Sequence, residues 1–198
     1  MNRSPLLLLF TLVLIVQLTT TCQSTQTPDA LQAIKSGDGA EALRLLDSVE
    51  NVNADNGALL YESVLQRQTQ VVEKLLAKGA HPNLRPDLLR TTVLNRWDSI
   101  TLLLLRHGAD PNKTNPNGGT SALSEASSQE NVAVMEALIE RGADVNYNDY
   151  VGSGTPLLIA IDQNKYKAAQ ILLEHGADAS IDAKFLGYPW EIVRKNKD

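Results

Sequence analysis

The sequence predicts an all-α chain, a solenoid of stacked helix-turn-helix units joined by short β-hairpin or loop fingers. Three observations lead there. The first is a nine-residue phrase written four times: "LLAKGAHPN" at 75–83, "LLRHGADPN" at 104–112, "LIERGADVN" at 138–146 and "LLEHGADAS" at 172–180. Its glycines, Gly79, Gly108, Gly142 and Gly176, are spaced by 29, 34 and 34 residues. Self-similarity near that period marks a stacked array of small units and not a single knotted core. The second is the apolar stretch before each glycine: "VVEKLLAKG", "ITLLLLRHG", "VMEALIERG" and "AAQILLEHG". Apolar residues recur there at three- and four-residue steps, the signature of a helix with one buried face. The third is a set of helix-start letters before each of these stretches, which predicts a second helix per unit.

The elements follow in chain order. Residues 1–21 differ from the rest. Arg3 is their only charged side chain, and "PLLLLFTLVLIVQL" runs apolar from Pro5 to Leu18. Fourteen residues rise about 21 Å as a helix, short of a hydrocarbon core of roughly 30 Å. That length suits the h-region of a secretory signal better than a membrane span. The following "LTTTC" resembles a bacterial lipoprotein signal, with Cys22 as the lipidated first residue after cleavage. Thr19 and Thr21 depart from the aliphatic and small residues usual at their positions. Conventional cleavage near Thr20–Ser24 and an uncleaved anchor remain as alternatives. The residue after the cysteine is Gln23 and not Asp, which in a diderm bacterium favours the outer membrane. The reading is therefore a signal peptide over 1–21, a short polar tether over 22–27, and the array over 28–198.

Within the array, glycine just past each second helix can take the left-handed conformation that closes it. Lys78, His107, Arg141 and His175 place positive charge in the last turn, where it suits the helix dipole. The Asp-x-Asn letters that follow are turn formers. First helices are predicted at "LLRTTVLNRW" with Asp87 as cap, at "TSALSEASSQ" with Thr120 or Ser121 as cap, and at "TPLLIAIDQN" with Thr155 as N-cap and Pro156 at the first helical position. Pro189 opens a last helix, "PWEIVRKNKD". Aromatics are 5% of the chain, so a core of Leu, Ile, Val and Ala is expected.

With these residues in place, the chain resembles the ankyrin-repeat family. "SGTPLLIAI…ILLEHGADAS" and "GGTSALSEA…ALIERGADVN" carry the family pattern well; the units ending at Asn83 and Asn112 carry it with the Thr-Pro lost. A degenerate first unit covers 28–53 and has Val49 in place of the glycine stop, which suits a terminal cap. The resemblance implies five repeats plus a C-terminal half, over nearly all of 28–198. Two departures stand out. The histidine of the family's helix start is replaced by Tyr61, Arg90, Ser124, Leu158 and Glu191, so weaker polar order between repeats is expected. The fingers are uneven. Asn53–Gly57 and Asn83–Asp87 are too short for a hairpin, whereas 113–119 and 147–154 run one residue over the usual length.

The sequence offers no constellation for catalysis, a metal or a cofactor. His81, His107 and His175 occupy one loop edge of different repeats. Stacked units about 10 Å apart would hold His107 and His175 about 20 Å apart, whereas zinc needs ligands about 2 Å from one point. "GSG" at 152–154 lacks the spacing of a phosphate loop. Cys22 is the only thiol and lies outside the array. Asp110, Asp144 and Asp178 recur at one turn position and read as structural. "NKT" at 112–114 is a glycosylation acceptor only in a eukaryotic secretory host. Net charge is −5, or −6 once residues 1–21 are removed, with both signs spread along the chain. No basic stripe suits nucleic acid.

The resemblance implies a protein partner, held by the concave side that the fingers and first helices line. Matching the family's variable positions gives Leu65 and Gln66, Leu94 and Asn95, Ser128 and Gln129, and Asp162 and Gln163 near the first-helix ends. The fingers give Asn115, Asn117 and Thr120, then Tyr147, Asn148, Asp149, Tyr150 and Val151. Tyrosine supplies contact area at low entropy cost; packing of one such Tyr on the neighbouring finger is the competing reading. Tyr61, Arg90 and Trp97 form a second patch, although Trp97 also reads as packing and Trp190 as closing the end of the stack. The expected protein is a monomeric, non-enzymatic binding module of the bacterial envelope or periplasm, tied to the membrane through Cys22 when lipidated. It would act as an inhibitor or immunity protein. The alternative is a structural or accessory factor for another exported protein, such as a stress-defence enzyme.

Overall fold

A computed structural model describes residues 27–114, 119–148 and 154–180. The chain divides into two compact units, Met1–His81 and Pro82–Asp198, taken here in turn.

Unit 1 begins with a helix over 27–35 (α1), so Thr27, counted with the tether above, stands in a helix. α2 spans Gly39–Leu45 and tightens into a 3-10 turn, Leu46–Ser48, before Val49 turns extended. This is how the first repeat closes without its glycine. α3 spans Ala54–Leu65 and α4 Thr69–Ala77. The start of the α3 span, where the short finger lies, is kinked and not helical: Asp55, Asn56 and Gly57 have φ of 51°, 55° and 71°. These are the residue types that tolerate the left-handed region, and they reverse the chain in the space of one turn. α4 packs against both α2 and α3. Ile34, Leu46, Leu59, Leu60, Val64, Val72 and Leu75 fill the core between them. Lys74 Nζ donates to the Leu43 carbonyl at 2.6 Å and pairs with Asp47 at 2.6 Å, while Lys78 Nζ reaches the Leu46 carbonyl at 2.5 Å. Second-helix lysines thus meet the open carbonyl end of α2. The Lys74 hydrogen bond, helped by its charge, holds the Asp47 carboxyl below its ordinary value.

Among the described residues, unit 2 holds three helix pairs: α5 (Leu88–Leu94) with α6 (Asp98–Arg106), α7 (Ala122–Ser128) with α8 (Val132–Glu140), and α9 (Pro156–Asp162) with α10 (Tyr166–Glu174). First helices are 7 residues and second helices 9. Helices this short are marginal alone, so packing holds them. α7 lies between α5 and α9, and α8 between α6 and α10. The core is Leu88, Val93, Leu104, Leu105, Leu123, Met135, Leu138, Leu157 and Leu172, all buried. No aromatic is among the largest fully buried side chains of the described residues, as the composition foretold.

Capping follows the letters at two of three first helices. Ser121 accepts from the Ser124 N–H and Thr155 from the Leu158 N–H, with Pro156 in the first turn. Asp87 is a correction: it occupies the N-cap of α5, but its side chain makes no capping bond. Its φ and ψ, −94° and −2°, are helical, not the extended conformation a cap needs to aim its oxygen back at the turn. No extended strand occurs among the described residues; the fingers there are turns, with an isolated bridge at Gly154.

From α4 onward, each second helix ends on its glycine as expected. Gly79, Gly108, Gly142 and Gly176 have φ between 84° and 86°. In α4, Gly79 N–H bonds the Leu76 carbonyl and Ala80 N–H the Leu75 carbonyl, the paired bonds of a Schellman stop, and the other copies repeat them. The first helices use the same stop without glycine. Arg67, Arg96, Glu130 and Asn164 have φ of 56°, 58°, 53° and 57°, with the matching bond pairs. Only Gly37 in the first repeat keeps the residue the geometry prefers.

Candidate functional site

The asparagine that closes each of the first three nine-residue phrases, and Asn53 at the end of the first repeat, is a clamp between repeats. In unit 1, Asn53 Nδ2 donates to the Gly79 carbonyl at 3.0 Å, and its Oδ1 accepts from His81 N–H at 2.7 Å. In unit 2, Asn83 binds Gly108 and Asp110 the same way, at 2.9 and 2.8 Å. Asn112 binds Gly142 and Asp144, both at 2.8 Å, and Asn146 binds Gly176 and Asp178, at 3.3 and 2.8 Å. Asp110 and Asp144 hold the clamp in place by accepting from the N–H two residues on, at 2.9 Å. The recurring aspartates are therefore turn formers. Ser180 stands where the fourth phrase would carry its asparagine.

The asparagine carboxamides supply polar order between repeats in which the family's histidines are missing. Arg90, at one of the histidine positions, adds an ion pair to Glu125 of the next repeat at 3.6 Å. In the N-K-T triplet, Asn112 Nδ2 donates to the Gly142 carbonyl.

A second polar edge runs along the turns between paired helices. In unit 1, Gln68 Nε2 donates to the Ile34 carbonyl at 3.1 Å. In unit 2, Gln129 Nε2 reaches the Val93 and Leu94 carbonyls, both at 3.1 Å. Arg96 Nη2 donates to the Gln129 carbonyl at 2.9 Å and its Nε to Gln129 Oε1 at 3.2 Å. Asn131 Nδ2 donates to Asp98 at 2.9 Å, and Glu130 Oε1 accepts from Lys167 N–H at 2.8 Å, at the start of α10.

The candidate contact residues fall against this frame as follows. Gln66, Asn95, Gln129 and Gln163 are the C-cap residues of α3, α5, α7 and α9, so the sequence had picked one structural position four times. Gln66, Asn95 and Gln163 are exposed. Asn95 Nδ2 bonds its own helix at the Thr91 carbonyl, 2.8 Å away. Gln129 is half-buried and serves the turn edge. Leu94, beside Asn95, is 47% exposed, high for a large apolar side chain in this core-rich helix. Arg90 is half-buried in its pair with Glu125, and Tyr61 is half-buried on α3. Thr120 is half-buried beside Gly119, whose carbonyl accepts from the Tyr147 hydroxyl at 3.2 Å. Tyr147 thus bridges two fingers of unit 2, and Asn148 beside it is half-buried. Trp97 is half-buried at the N-cap of α6. Cys22, Asn115, Asn117, Asp149, Tyr150, Val151, Pro189 and Trp190 lie outside the described residues.

Among the described residues, no three His, Cys, Asp or Glu side chains gather as a metal site, and no helix is long and apolar enough to cross a membrane. In unit 2 the ends of α5 and α9 expose Leu94, Asn95, Asp162 and Gln163, whereas the end of α7 is half-buried.

Residues 92–183, from within α5 to beyond α10, match the family described as ankyrin repeats (3 copies). The matched span takes in the three described helix pairs of unit 2, α5 from Thr92 onward. No curated protein matches the chain significantly. Over the matched residues the fold is the all-α ankyrin-repeat fold. Ankyrin repeats are in general protein–protein interaction modules and carry no enzymatic chemistry of their own.

Proposed function

We propose that this chain is a non-enzymatic binding module of the bacterial envelope or periplasm, which holds or inhibits a partner protein through its first-helix ends and fingers. The supporting observation is the division of labour in unit 2. The asparagine clamps and the turn edge absorb the polar side chains that the stack uses. The side chains of Leu94, Asn95, Asp162 and Gln163 stay exposed on the ends of α5 and α9 and make no described hydrogen bond to another repeat; only the Leu94 backbone carbonyl is held, by Gln129. An exposed leucine next to one carboxamide on α5, with a carboxylate and a second carboxamide two first helices along on α9, suits a protein surface with one apolar anchor and a polar rim. Export rests on the apolar run at Pro5–Leu18 and on Cys22.

Capture from detergent-solubilised membranes with the tagged full chain tests the binding. One protein should be recovered with the parent chain and lost with Leu94→Arg, whose substitution at an exposed site leaves the core intact. Recovery of the same protein by both chains refutes the assignment of this face. Mass spectrometry of the mature N-terminus tests the anchor separately; an unmodified Cys22 overturns it.

A further inference from the structure

We propose that Arg96 and Glu130, the left-handed residues that close α5 and α7, are staples between repeats: their side chains bind the following helix pair and join the three pairs of unit 2 into one cooperatively unfolding block. A residue with a Cβ in this conformation costs about 1–2 kcal/mol relative to glycine. The second helices avoid that cost with glycine at every copy; the first helices of unit 2 do not. At two of these positions the side chain leaves its own repeat. Arg96 grips the backbone carbonyl and the carboxamide of Gln129, at the end of the next first helix. Glu130 accepts from Lys167 N–H in the first turn of α10. That turn has no cap of its own, since Lys165 at the N-cap offers no side-chain acceptor. Glu130 therefore supplies from the preceding repeat both an acceptor and a negative charge where the helix dipole favours one. The remaining two positions differ. Asn164 Oδ1 accepts from the Tyr166 hydroxyl inside its own repeat, and the Arg67 side chain makes no hydrogen bond or ion pair among the described residues.

In a stacked array, stability is the sum of each repeat and its neighbour interfaces, so side chains that join repeats control how much unfolds at once. Glycine at these turns is a clean probe, because it relaxes the backbone and any loss must come from the side chain. Arg67→Gly, Arg96→Gly, Glu130→Gly and Glu130→Gln are compared in the full chain by urea unfolding followed by circular dichroism. Arg67→Gly should raise the midpoint. Arg96→Gly and Glu130→Gly should lower it and make the transition shallower, as unit 2 loosens into parts. Glu130→Gln, which keeps the Oε1 acceptor, should retain most of the parent midpoint. If all three glycine variants raise the midpoint alike, or if Glu130→Gln falls as far as Glu130→Gly, the staples do not exist.

Discussion

Replacing Asn112 by alanine removes both halves of one clamp. Its carboxamide donates to the Gly142 carbonyl and accepts from Asp144 N–H, each at 2.8 Å. A neutral intramolecular hydrogen bond contributes about 0.5–1.5 kcal/mol net. Asn112, Gly142 and Asp144 are all exposed, so water takes up the orphaned carbonyl and N–H and the larger desolvation penalty does not apply. The expected loss for the pair is then about 1–2 kcal/mol, toward the lower half of two such bonds. For a chain of this size that lowers Tm by about 2–4 °C per kcal/mol. Urea unfolding read by far-ultraviolet circular dichroism is the better assay, because two compact units need not share one thermal transition. Asn112→Asp sharpens the test. The carboxylate still accepts from Asp144 N–H, but it cannot donate and sets a negative charge against the Gly142 carbonyl, so its loss should equal or exceed that of alanine. Asn95→Ala is the control: its side chain bonds only its own helix, and the change should stay within about 0.5 kcal/mol. An Asn112→Ala midpoint inside the range of that control would refute the clamp as an energetic element.

Three further outcomes follow from the same geometry. Gly108→Ala meets no atom within 4 Å of its new Cβ, so its cost is conformational alone, about 1–2 kcal/mol at φ 85°, measurable by urea unfolding. Thr155→Ala should cost about 0.5–2 kcal/mol through loss of the α9 cap, whereas Asp87→Ala, at a cap position without a capping bond, should cost far less; the same assay separates them. The Asp47 carboxyl, held below its ordinary value by Lys74, contributes stability that is present above about pH 4 and lost as pH falls through its folded value. Asp47→Asn should therefore lower the midpoint at neutral pH and flatten its acid-side decline, read from unfolding midpoints across a pH series.

The stack was legible in the sequence because its signals are local and redundant. A glycine after an apolar helical stretch permits one backbone solution, and all four copies adopt it. Thr155-Pro156 and Ser121 announce helix starts through side chains that reach only two or three residues along. The first-helix stops were not legible. Arg67, Arg96, Glu130 and Asn164 adopt the conformation that glycine takes elsewhere, and arginine or glutamate carries no letter-level sign of a left-handed backbone. The clamp was half legible. Asp-x-Asn reads as a turn from local propensity, but the partners of Asn112 are 30 and 32 residues away, which turn chemistry does not encode. Of the candidate contacts, the variable-position match found four C-caps. It could not tell Gln129 from Gln66 or Gln163, because only Gln129 has an arginine one turn back in the previous repeat to hold it.

That distinction bears on how such a chain acquires a binding surface. A side chain bound to a neighbouring repeat cannot change without loosening the stack, so the asparagine edge and the Arg96–Gln129–Glu130 edge are constrained by folding. Leu94, Asn95 and Gln163 lie at positions where the backbone is already fixed by the stops that follow them. Substitution there alters what the surface presents and leaves the core untouched. Rigid backbone beside unconstrained side chains is the condition for specificity without much ordering cost on binding. Asn95 and Gln163 sit at the same turn edge as Gln129, but their side chains hold no neighbouring repeat, and it is at such positions that recognition can vary.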